Sequence, residues 1–112
     1  MQAKAIARYI RMSPQKARRT LRLIKGMPLK EAQAMLALMP HRSARAVRRV
    51  LASAAANAEN NHGMDADELW VADATVDAGP TMKRFRFVSG GRVAMIQKRI
   101  SHISVIVSDD ER

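Results

Sequence analysis

The spacing of the apolar residues changes near Leu69, and that change limits what the chain can fold into. Before it, from Ser13 onward, apolar side chains recur every three or four residues, as on a helix with one buried face. After it they alternate, as on a strand with one buried face. The chain therefore reads as a mainly helical front half followed by a β-rich second half. At 112 residues it is one domain long, and neither an internal repeat nor a linker divides it.

Punctuation residues place the elements. Ala3 to Met12 alternates, with Lys4, Ile6, Arg8, Ile10 and Met12 on one side and Ala5, Ala7, Tyr9 and Arg11 on the other, which predicts a short strand. Ser13-Pro14 starts a first helix, Ser as the cap and Pro at the first helical position, and Gly26 stops it. Within it Ala17, Thr20, Leu21 and Ile24 share a face, while Arg18, Arg19, Arg22 and Lys25 occupy the opposing arc. A second helix is predicted over Leu29 to Met39, ended by Pro40. A third runs from Arg42 to Asn60, with Ala44, Val47, Val50, Leu51, Ala54 and Ala58 within about 140° of arc. Strands follow from Leu69 to Asp77 and through Ile103, Val105 and Val107. Between them, Met82–Val88 and Arg92–Arg99 flank Ser89-Gly90-Gly91, a hairpin signal.

Charge is arranged in blocks. Residues 1–50 carry thirteen Lys or Arg and one acid, residues 51–81 six acids and no base, residues 82–107 six bases and no acid, and residues 108–112 three acids and one base, which returns the net +10. Solubility alone does not require such a bias, and a polyanionic partner meeting two basic surfaces does account for it. The acidic segment is expected to stay in solvent. The hairpin arms, each spanning about 26 Å, are marginal as a bare two-stranded ribbon in water and need another surface. Six bases without an acid make nucleic acid the expected surface. Only 4% of residues are aromatic, so recognition should rest on backbone and shape rather than on stacking platforms. Tyr9 and Trp70 are read as core residues.

Catalytic and metal-binding patterns are not found. There is no cysteine, and His41, His62 and His102 fit no metal-ligand spacing, so each reads as a loop or surface residue. The acids of 65–77 do not match a calcium loop, and Gly90-Gly91 alone is a turn rather than a phosphate cradle. Uncharged stretches such as Ala32–Pro40, nine residues long, fall far short of the about 20 needed to span a membrane. The N-terminus lacks the apolar run of a secretory signal. The expectations are no enzyme, no cofactor, no metal and a cytoplasmic location.

Four ordered stretches resemble the bacterial large-subunit ribosomal protein L twenty-two family. They are Ala5-Ile6-Ala7-Arg8-Tyr9-Ile10-Arg11-Met12-Ser13-Pro14-Gln15-Lys16; Val50-Leu51-Ala52-Ser53-Ala54-Ala55-Ala56-Asn57-Ala58 with Asn61-His62; Val76-Asp77-Ala78-Gly79-Pro80-Thr81-Met82-Lys83-Arg84; and Lys98-Arg99-Ile100-Ser101-His102-Ile103. The resemblance implies an α+β fold, with three helices packed on a small antiparallel sheet and a long protruding β-hairpin at about 80–100. It implies one ribosomal RNA-binding domain over 1–112, a structural and assembly role in the large subunit, and a hairpin lining the peptide exit tunnel opposite ribosomal protein L four. The nascent peptide would pass near the tip, and the residues of the tunnel hairpin here are Met82, Lys83, Arg84, Ser89, Gly90, Gly91 and Arg92. The tip departs from the family's usual Pro-Arg-Ala-Arg-Gly-Arg-Ala. It reads Phe87-Val88-Ser89-Gly90-Gly91-Arg92-Val93, so only Gly91 and Arg92 persist, and Ile100 stands where the family has Thr.

Contacts to RNA are expected from Arg8, Arg11, Lys16, Arg18, Arg19, Arg22 and Lys25 near the first helix. Along the ribbon they are expected from Lys83, Arg84, Arg86, Arg92, Lys98 and Arg99, with Ser101 and His102 adding hydrogen bonds at its base. Partners are large-subunit ribosomal RNA and neighbouring ribosomal proteins, with no membrane and no homo-oligomer. A DNA-binding regulator is the competing class, but its recognition helix should be polar and exposed. The third helix instead carries a broad Ala/Val/Leu stripe. A membrane-surface peptide is disfavoured by the β-rich half.

Overall fold

The computed structural model describes residues 1–40 and 42–110, with backbone alone for 82–89 and 92–98. The reading of His41 as a loop residue lies outside the described residues. The order is β1 (Gln2–Ile10), α1 (Pro14–Ile24), α2 (Leu29–Leu38), α3 (Arg42–His62), a short 3-10 turn (Ala66–Glu68), β2 (Trp70–Ala78), β3 (Met82–Val88), β4 (Arg92–Lys98) and β5 (Ser101–Ser108). Three helices pack on a three-stranded antiparallel sheet of order β1-β5-β2, and β3 pairs with β4 in a separate two-stranded sheet. The fold is α+β. The ribbon pairs Met82 with Lys98 through to Val88 with Arg92, and both turn glycines, Gly90 and Gly91, have positive φ (82° and 73°).

The helices start and stop close to where punctuation placed them. Pro14 occupies the first position of α1, but the Ser13 hydroxyl makes no cap hydrogen bond, contrary to the expected side-chain cap. Gly26 has φ of 84°, where a side chain is disfavoured, and lies next to the C-cap Lys25. Its N–H donates to the Val71 carbonyl at 2.8 Å, so the end of α1 is tied to β2. Along α3, Ala44, Val47, Val50, Leu51, Ala54, Ala55 and Ala58 are buried. The small alanines let the helix lie close over β1 and β5, and its apolar face is spent on the core rather than offered to a DNA groove.

β5 is the central strand, and Ile103, Val105 and Val107 all face the core, fully buried. The flanking strands do not alternate throughout. In β1, Ala3, Ala5 and Ala7 face the core, then the register against β5 shifts between Ala7 and Ile10. Beyond that bulge Ile10 and Met12 pack on the core instead. The expected pairing of Ile10 and Met12 with Lys4, Ile6 and Arg8 is thereby corrected: an extra residue reverses the parity of the strand. A second shift between Val71 and Asp73 does the same in β2, so Val71 and Val76 are both buried although five positions apart. The two aromatics read as core are also corrected. Tyr9 is 65% exposed, and Trp70 is only half-buried, its indole N–H donating to the Asp110 carbonyl at 2.7 Å.

Candidate nucleic-acid interface

Cations from separate parts of the chain converge where β1 leaves the sheet. Arg11 follows β1, Lys16 and Arg19 project from the first two turns of α1, Arg42 opens α3, and Arg99 precedes β5. All five line one cleft of about 860 Å³ with Met12, Leu23 and Met39, and among the described residues no acid lines it. At its base the Thr20 and Ser43 hydroxyls form a buried hydrogen bond of 2.7 Å, which fixes α1 against the start of α3 and so sets the width of the cleft. The five cations are exposed and like-charged, so an anion entering the cleft would relieve their repulsion. Arg42, absent from the contacts expected from sequence, completes it. Its helix reads as an element of the core, and only the packing of α1 on α3 brings its first residue beside Arg19.

The remaining cations of the first helix divide. Arg22 is exposed. Arg18 donates from Nη2 to the Val76 carbonyl at 3.3 Å, and Lys25 pairs with Asp73 at 3.3 Å, so both lean toward β2. The acidic block therefore partly neutralises the basic one within the chain. Lys30 pairs with Asp67, whose hydrogen bond and charge hold the ammonium above its ordinary range. At the far edge the Met1 ammonium lies 2.8 Å from Asp110, and their hydrogen bond raises the amine and lowers the carboxyl.

At the base of the ribbon two expected RNA contacts hydrogen-bond within the chain, and one of them is buried. Ser101 is 0% exposed, and its hydroxyl donates to the Met12 carbonyl at 2.6 Å. It holds the β1–α1 connection and has no free face for RNA, which corrects its expected role. His102 Nδ1 accepts the Tyr9 N–H at 3.1 Å, and the rings meet edge to face with centroids 5.0 Å apart. Its Nε2 lies against Gly79, where an added Cβ would come within 2.9 Å. Arg8, on the outer side of β1, and Arg99 are exposed. The side chains of Met82, Lys83, Arg84, Arg86, Ser89, Arg92 and Lys98 lie outside the described residues, while Gly90 and Gly91 form an exposed turn.

Among the described residues no group of three or more metal-ligating side chains assembles, and no helix is long and apolar enough to cross a membrane. The sequence profile described as ribosomal protein L22p/L17e matches residues 5–108. The chain belongs to that family. A large ribosomal subunit protein uL22 from Thermoanaerobacter sp. (strain X514) is 50% identical over 111 residues, covering 99% of this chain and all of its own. The protein of the same name from Pelotomaculum thermopropionicum is 52% identical over 109 residues, covering 97% of this chain and 96% of its own. That from Halothermothrix orenii is 47% identical over the same length. L22p/L17e chains are structural proteins of the ribosome, and this chain is not an enzyme.

Proposed function

We propose that the chain is a structural constituent of the large ribosomal subunit that binds large-subunit ribosomal RNA and supports its assembly. The observation that carries this reading is the cleft in which five cations meet with no acid among the described residues that line it. Arginine and lysine so placed neutralise successive phosphates and release their counterions, which gives tight and salt-dependent binding without base readout. Family membership and relatives named as large-subunit proteins support the same assignment. The domain over 1–112 then acts as one RNA-binding unit within the cytoplasmic ribosome.

The β3–β4 ribbon is assigned to the wall of the peptide exit tunnel, opposite ribosomal protein L four, with the nascent peptide passing its glycine turn. Support comes from its pairing as a two-stranded sheet separate from the body, and from an overall extent of 60 Å along one axis against 25 and 20 Å along the others. Lys83, Arg84, Arg86, Arg92, Lys98 and Arg99 would hold RNA along the ribbon.

Tagged chain added to cell extract at low salt should co-sediment with large subunits and be released as salt rises. A chain that stays in the soluble fraction overturns the assignment.

A further inference from the structure

We propose that Tyr9 is a stacking platform for one unpaired base of the RNA, with His102 as the residue that positions it. The inference rests on the RNA-binding reading and names a contact that reading lacks. Tyr9 is 65% exposed. It sits at the β1 bulge with φ of 58°, the one positive φ of a non-glycine residue among the described residues. A bulky side chain disfavours that region, and glycine is the usual occupant of such a bulge. A core packing role does not explain the aromatic there, because the ring is outside the core.

The surrounding atoms hold this conformation. Nδ1 of His102 accepts the Tyr9 N–H at 3.1 Å. The imidazole meets the tyrosine ring at 89°, so it braces the ring edge to face and does not sandwich it. Gly79 leaves the space in which the imidazole sits. Arg8 and Arg11, both exposed, flank Tyr9 in sequence. Either could neutralise the backbone of a nucleotide stacked on the ring. A rigid ring with fixed orientation and adjacent cations fits an unpaired nucleotide, whose base stacks while its backbone is neutralised.

Glycine at this position separates stacking from support, because it relaxes the left-handed backbone and removes the ring. Binding of the full chain to an in vitro transcript of large-subunit ribosomal RNA is measured against salt, with thermal midpoints taken in parallel. Tyr9→Gly should keep or raise the midpoint and lower affinity about 5- to 150-fold, the range for removing one base-stacking aromatic. Its salt slope should match the parent's, since the ring is neutral. Tyr9→Phe should bind as the parent does. His102→Ala should weaken binding in the parent and have little further effect in the Tyr9→Gly chain. Equal affinity of the parent and Tyr9→Gly overturns the proposal while leaving the RNA-binding reading intact. A Tyr9→Gly chain that binds the transcript normally but is lost from large subunits also overturns it, since the ring then faces a protein. A parent chain that fails to bind the transcript overturns the underlying reading itself.

Discussion

Gly79 shows how a single absent side chain can set a neighbour's geometry. A Cβ there would approach His102 Nε2 to 2.9 Å and Ile100 Cγ2 to 3.1 Å, so Gly79→Ala must push the imidazole away from the Tyr9 amide. The expected cost is about 1–3 kcal/mol, the usual price of forcing bulk into a packed site. Urea denaturation checks it, and a midpoint equal to the parent's would show that the imidazole is free to move. The same locality explains what the sequence conceals at this scale. The Ser101-His102 motif is visible, yet its partners Met12 and Tyr9 lie 89 and 93 positions away. Chain separation carries no hint that the hydroxyl is consumed inside or that the imidazole accepts rather than donates. Side-chain chemistry alone gave both residues to RNA, and the long-range pairing of β1 with β5 engages the Ser101 hydroxyl with Met12 and His102 Nδ1 with Tyr9.

Among the elements, the helices and the buried face of β5 were legible, and the faces of β1 and β2 were not. A helix announces itself by local punctuation and by a stripe, and the Gly26 stop and the Val47–Leu51–Ala54–Ala58 stripe of α3 are both found as read. A β-bulge inserts one residue and reverses every later side chain, while the local sequence still alternates. β1 and β2 each carry one such shift, so the grouping of Ile10 with Arg8 failed although the strand itself was recognised. The stripe of α3 yields a direct prediction. Leu51 is fully buried, and Leu51→Ala should destabilise the chain by about 2–5 kcal/mol. Leu23, half-exposed on α1, should tolerate Ala within about 0.5 kcal/mol. Paired denaturation curves compare them, and similar costs at both positions would contradict the packing of α3 on the sheet.

For the whole molecule, the distribution of charge matters more than its total. The basic front block and the acidic middle block predict two surfaces, and the structure joins them in part through Lys25–Asp73 and Lys30–Asp67. The acids thus help to sort cations into those held internally and those left facing outward, which the linear sequence does not reveal. Screening limits electrostatic reach to about 8–10 Å at physiological salt, so a phosphate in the cleft is affected chiefly by the cations lining it. Replacing Arg19 and Arg42 together with Ala should therefore lower the slope of log affinity on log salt by about two. Lys30→Ala, which removes an equal charge per substitution from a lysine already paired with Asp67, should leave the slope nearly unchanged. The pair also tests Arg42 in particular, because Arg19→Ala alone should account for only about half of the change. If the lysine variant flattens the slope as much per charge as the arginines do, binding follows net charge and the cleft has no special part in it.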